Sequence, residues 1–181
     1  MCIRDRVEYV NQNRFVHIIT LEDPVEYCYQ SKNSLIHQRE IGSDTQSFAE
    51  GLRSALRQDP DIIILGELRD AETLKIALTA SLTGHLVIAT LHAKDAISSI
   101  NRIIDNFQDK YLIKMQLAEC LLGVVSQQLF LRSDGKGRIA AFEVLIITAA
   151  IRNIIREGNI HQIQSYMQTG CLLYTSPSPR D

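Results

Sequence analysis

The chain has no tryptophan, four cysteines, four prolines and nine glycines in 181 residues, and its formal charge is only −2. Each shortage excludes something. The cysteines, at positions 2, 28, 120 and 171, form no CxxC pair and no metal-ligand spacing, so a zinc ribbon or a dithiol redox motif has no ligands. A charge near zero excludes a dominant polyanion-binding surface, while a local basic patch stays open. Without tryptophan or a basic excess, the stacking track of a single-stranded nucleic-acid binder is missing. No apolar run reaches membrane-spanning length, and the start lacks the tripartite pattern of a secretory signal. Low glycine and proline argue for an ordinary globular chain, long enough for one domain with a proper core. A reducing, cytoplasmic setting is the simplest reading.

What is present begins with two ends that do not match the middle. "MCIRDR" and "CLLYTSPSPRD" fit neither the apolar periodicity nor the caps of their neighbours. They resemble read-through translations of sequencing-adaptor DNA, so residues 1–6 and 171–181 are set aside from the fold as non-native. Residues 7–170 then read as one α/β domain. A helix ends over 7–14. "FVHIITLE" (15–22) is β-branched, hence a strand, and "SLIHQRE" (34–40) is a short strand at the sheet edge. Phe48, Leu52, Ala55 and Leu56 recur at helical spacing over 44–58, with Asp44 as the expected cap. "IIIL" (62–65), between Pro60 and Gly66, is a strand buried on both faces. A helix over 70–84 has Asp70 as N-cap and Gly84 past its end. "HLVIATLH" (85–92) reads as another buried strand, and Asp95 caps a helix over 95–107. A helix near 110–122, strands near 125–132 and 138–147, and helices at 148–157 and 160–168 complete the chain.

Alternating strands and helices make parallel strands whose carboxyl ends share one edge. The first strand brings Glu22, Asp23 and Glu26 to that edge, the second Glu67 and Arg69, the third Thr90 and His92, with His85 at its opposite end. Ligands of open α/β sheets bind there. Acidic groups on neighbouring strands suit a Mg²⁺–nucleotide site, one carboxylate orienting the metal's waters and another the attacking water. Each residue also has a plain reading. A strand ending in Gly-Glu is commonly a solvated end, and Glu22–Asp23–Pro24 can be a charged turn. His92 can be a structural histidine, and His85 can cap the preceding helix. Arg53 and Arg57, one turn apart, can be a solvated face pairing with acids.

"IITLEDPVEY", "GLRSALRQDPDIIILGELRD" and "TGHLVIATLH", in this order, resemble the Asp box, Walker B and His box of the secretion and type IV pilus motor ATPases. "AIRNIIREGNIHQIQSYMQTG" (150–170) resembles the segment that marks the retraction, or PilT-like, members. The resemblance implies a RecA-like P-loop NTPase core working as a homo-hexamer with ATP and Mg²⁺. It would pull on a pilus inner-membrane platform protein from the cytoplasmic face of a bacterial inner membrane. It implies Glu26 as general base, Glu22 and Asp23 as support for the Mg²⁺ and water network, and Glu67 as the Walker B acid holding Mg²⁺ through water. His85 and His92 would sense the γ-phosphate. Arg53, Arg57 and Arg69 are candidates for phosphate, interface or carboxylate contacts.

The departure is that GxxxxGK[ST] is absent from the chain. In a P-loop protein that loop opens the helix before the "FVHIITLE" strand, so the expectation is a chain truncated at both ends. Such a fragment, lacking the first strand and the loop, would bind nucleotide weakly or not at all. A pilus assembly or type II secretion ATPase is the alternative within the family. Those commonly carry a four-cysteine zinc module, and between 107 and 147 only Cys120 is available. A nucleotide-free pseudo-ATPase acting as an interaction module is the alternative outside it.

Overall fold

The computed structural model of the chain describes residues 3–133 and 135–169, and these divide into two compact units, with the boundary after Leu91. The segment 171–181, set aside from the sequence as non-native, lies outside the described residues.

The first unit is a parallel α/β layer. Its elements are α1 (Ile3–Asn13), β1 (His17–Glu22), β2 (Leu35–Glu40), α2 (Phe48–Ala55), β3 (Ile62–Leu65), α3 (Ala71–Leu82) and β4 (Leu86–Ala89). The four strands lie in the order β2-β1-β3-β4, all parallel. All four residues of β3 are buried because successive side chains point to opposite, equally covered faces. Ile62 and Ile64 pack with Val7 of α1 and Ile18 of β1. Ile63 and Leu65 pack on the other face with Leu21, Phe48, Leu52, Ala77 and Ala80, from β1, α2 and α3. Helices on both sides of the sheet follow from this apolar run, as the parallel α/β class requires.

Four details differ from the sequence reading. β4 is half-exposed rather than buried, with Leu86 40% accessible, because it has a neighbour on one side only. The helix expected over 44–58 covers only Phe48–Ala55 and is capped by Ser47, whose hydroxyl accepts from the Glu50 N–H at 3.2 Å. Asp44 instead accepts from the backbone N–H of Glu40 at 2.8 Å and closes the turn after β2. Finally, α1 starts at Ile3, so residues 3–6 are helical and Ile3 packs against the Val7 cluster. The other caps are where the sequence puts them. Asp70 accepts from Thr73 N–H, and Gly84 adopts φ 104° just beyond α3, where only glycine is unstrained.

The second unit contains α4 (Ala96–Asp105), α5 (Lys110–Cys120), an antiparallel pair β5 (Gly123–Leu131) and β6 (Arg138–Ile146), α6 (Ala149–Glu157) and α7 (Gln162–Thr169). Asp95 caps α4 through the Ser98 N–H at 2.7 Å, and the carboxylate of Glu143 on β6 accepts from the Ala96 N–H at 3.0 Å. Ile100, Leu117, Leu145, Ile151, Ile155 and Ile163 are fully buried and form its interior. Among the described residues, no helix is long and apolar enough to cross a membrane.

Candidate functional site

The register of β1 and β3 builds the site. Leu21 pairs with Leu65, so Glu22 and Gly66 leave the sheet side by side at its carboxyl edge. Gly66 is needed there. Its N–H donates to Leu21 O at 2.7 Å, and a Cβ at this position would stand 3.2 Å from that same oxygen. The missing side chain keeps the two strand ends together and delivers Glu67 directly beside Asp23.

Glu67 is ion-paired with Arg69 through Oε1 and Nη2, and the other guanidinium nitrogen of Arg69 lies 3.5 Å from Asp23 Oδ2. The Glu67 side chain is only 13% accessible, whereas that of Arg69 is 63%. Bonding to Glu67 holds the Arg69 guanidinium above its ordinary pKa, with the charge of Asp23 adding to it. One exposed cation thus balances two acids from adjacent strands. Thr90, just past β4, donates its hydroxyl to Gly66 O and accepts from Leu68 N–H at 3.0 Å, tying the third strand end to the same turn.

Glu22 is fixed by two donors, Thr20 Oγ1 at 2.6 Å and Gln38 Nε2 at 3.0 Å. The Asp23–Pro24 peptide is cis, and beyond it the chain carries Glu26 in an exposed loop. That loop is held by β2. Gln38 donates to Tyr27 O at 2.8 Å and accepts from Tyr29 N–H at 2.7 Å, and Glu40 accepts from Val25 N–H at 2.9 Å. Thr20, Gln38 and Glu40 are absent from the sequence candidates. For Thr20 a signal was available, since it shares a face with Glu22; Gln38 and Glu40 alternate along a strand read as the sheet edge, which gives no sign of the loop they hold.

Glu22, Asp23, Glu67 and Arg69 are therefore brought together, with Glu26 on the adjoining loop. His85 is not with them. It stands at the start of β4, with its backbone N–H and its Nδ1 both 3.1 Å from Ala80 O, at the end of α3. The four residues of β4 separate it from the carboxylate edge by roughly 13 Å along the strand. His92 belongs to the second unit, where its carbonyl accepts from Arg102 at 2.8 Å. Arg53 pairs with Glu72, linking α2 to α3, and Arg57 lies exposed beyond α2.

Among the described residues no three His, Cys, Asp or Glu side chains cluster as a metal cage. Mg²⁺ bound to phosphate takes one or two protein carboxylates and fills its shell with water and phosphate oxygens. The hard oxygens of Glu22 and Glu67 match that donor requirement.

A profile of the family described as "Type II/IV secretion system protein" matches residues 3–134. The Escherichia coli (strain K12) protein YggR is 54% identical over 166 residues, covering 91% of this chain and 51% of that protein. The Pseudomonas aeruginosa type IV pilus retraction ATPase PilT is 49% identical over 166 residues, covering 91% of this chain and 48% of that protein. A crystal structure of the pilus retraction motor PilT with bound ADP superposes with a TM-score of 0.88 at 47% identity, covering 94% of this chain and 50% of that one. The chain spans about half the length of the curated relatives it matches.

Proposed function

Since the chain belongs to the type II/IV secretion system protein family, we propose that residues 7–169 carry the carboxylate side of a Mg²⁺-dependent ATPase motor for type IV pilus retraction. The observation that carries this reading is the placement of Glu22 and the nearly covered Glu67 at the adjacent, in-register carboxyl ends of parallel β1 and β3. Glu67 stands at 13% accessibility beyond a fully buried apolar strand, with its charge met at that edge by Arg69.

The roles follow from the placement. Glu26, exposed on the loop that β2 holds, is the base that orients and deprotonates the attacking water. Glu22 and Asp23 line its approach, Glu22 being immobilised by Thr20 and Gln38. Glu67 and Glu22 are the residues that would hold Mg²⁺, whose charge, when bound, offsets that of the phosphates. Arg69 holds Asp23 and Glu67 close together at the edge. His92 is the coupling residue, while His85 is assigned to the α3–β4 turn.

No GxxxxGK[ST] is present in the 181 residues, so this stretch supplies no phosphate-cradling loop of its own. By itself it is expected to bind ATP weakly or not at all. A homo-hexameric ring acting on an inner-membrane platform protein, without zinc or nucleic acid, completes the proposal. The test is a chimera in which residues 7–169 replace the matching stretch of the P. aeruginosa retraction ATPase. ATP turnover and restored twitching are expected, both lost on Glu26→Gln or Glu67→Gln. An active chimera indifferent to both substitutions would remove the catalytic assignment. An active chimera without twitching would point to the secretion or assembly branch.

A further inference from the structure

At the opposite end of the same sheet, two imidazoles meet. His17 is the first residue of β1 and His37 the third of β2. His37 pairs in register with Ile19, so the two histidines project from one face two residues apart along the parallel strands. His17 Nε2 is 2.9 Å from His37 Nδ1, with the rings near perpendicular. His17 Nδ1 faces the carbonyl oxygen of Asp59 at 3.4 Å. A carbonyl can only accept, so Nδ1 carries the proton and the Nε2 lone pair of His17 points at His37.

We infer that His17 and His37 form a binding site for a borderline divalent transition metal of the Ni²⁺ or Cu²⁺ type. Three features carry this. A ligating histidine characteristically donates its other ring N–H to a carbonyl, which fixes the tautomer, and the Asp59 carbonyl does this for His17. The two nitrogens also approach closely enough to share one ion: metal–nitrogen bonds of about 2.05 Å need a separation of about 2.9–3.3 Å, and the hydrogen-bonded pair stands at 2.9 Å. Imidazole nitrogens suit Ni²⁺ and Cu²⁺ among the divalent ions. Lastly, His37 is exposed on the edge strand, so solvent can move its ring proton from Nδ1 to Nε2, and a turn of the ring then presents the Nδ1 lone pair to the shared ion. Among the described residues no third protein ligand completes a cage, so water fills the remaining positions. The site is five residues, roughly 16 Å, along β1 from Glu22 and is independent of the carboxylate edge.

The experiment is Ni²⁺ titration of the full 181-residue chain with its thiols alkylated, followed by histidine ring NMR and by calorimetry. One equivalent should bind, and the paramagnetic ion should broaden the rings of His17 and His37 before those of His85, His92 and His161. His37→Asn should weaken binding by about 100-fold, the upper end of what loss of even an outer-shell partner costs. Because residue 37 is exposed, that variant should keep the wild-type circular dichroism, and His17→Asn provides the second arm. Unchanged affinity in His37→Asn, first broadening at another histidine, or no binding at all would overturn the proposal.

Discussion

Loss of the Asp70 side chain should be partly repaired by a second substitution three residues away. Asp70 ends the turn that carries Glu67 and Arg69, and its carboxylate accepts from Thr73 twice, Oδ1 from the N–H and Oδ2 from the hydroxyl, each at 2.7 Å. Thr73 is fully buried. Asp70→Ala removes the cap, worth about 1 kcal/mol, and strands a hydroxyl whose unmet hydrogen bond costs about 1–3 kcal/mol. Asp70 itself is exposed, so water can reach the vacated side and the low end of that range applies. The sum is about 2 kcal/mol. Thr73→Val loses a hydrogen bond of net value about 1 kcal/mol and gains a buried methyl worth about 0.8 kcal/mol, so alone it is nearly neutral. In the double variant no hydroxyl is stranded and only the cap is missing. It should be about 1 kcal/mol more stable than Asp70→Ala. Urea unfolding followed by far-UV circular dichroism measures this, with an unchanged m-value as the condition for comparing midpoints. Additive costs, or a double variant less stable than Asp70→Ala, would show that the carboxylate–hydroxyl bond does not exist in solution.

Three further outcomes test other parts of the fold. Gly66→Ala places a Cβ 3.2 Å from Leu21 O and must part the ends of β1 and β3; a loss of about 1–3 kcal/mol is expected in the same assay. Ile63→Ala, at a fully buried position of the central strand, should cost about 2–5 kcal/mol, whereas Leu86→Ala on the exposed edge should cost under about 1 kcal/mol. Asp95 gives a pH signature. Its carboxyl is held below its ordinary value of 3.8, chiefly by the Ser98 backbone N–H. A depressed acid stabilises the fold fully above that ordinary value and loses its contribution as the pH falls through the lower folded value. Asp95→Asn, which still caps, should leave neutral stability nearly unchanged and flatten the acid limb of a stability–pH profile below about pH 4.

What could be read from the sequence was whatever depends on neighbours within a few residues or on a rule of topology. Asp70 and Asp95 were legible as caps because the signal and its consequence lie three residues apart. Ser47 had the same kind of signal, Ser47–Phe48–Ala49–Glu50 matching S-x-x-E, but Asp44 competes with it as a cap by residue type alone. That Glu22 and Glu67 share one sheet edge required only that β1 and β3 be parallel, since parallel strands end on one edge. Edge and centre, by contrast, are not written locally. "IIIL" and "LVIA" look equivalent, yet β3 has two strand neighbours and β4 one, and their burial differs accordingly.

The same non-locality hid the contacts that fix the site. Gln38 and Glu40 look like the solvated side of an edge strand, and nothing in their own neighbourhood says that a loop beginning at Asp23 will return across them. Once β2 pairs with β1, the alternation of the strand puts Gln38 and Glu40 against that loop, where they bond Tyr27, Tyr29 and Val25. The position of Glu26 is therefore set from β2 as well as from the strand that precedes it. His17 and His37 obey the same logic at the other end: residues 20 apart in sequence become neighbours only through the register of β1 on β2. A one-residue slip of β2 would turn its side chains to the other face, carrying His37 away from His17 and Gln38 away from the loop. The pairing of β2 with β1 thus positions both sites at once. Disturbing the β1–β2 register should change Ni²⁺ binding and the order of the 23–30 loop together, whereas His37→Asn should weaken only the first.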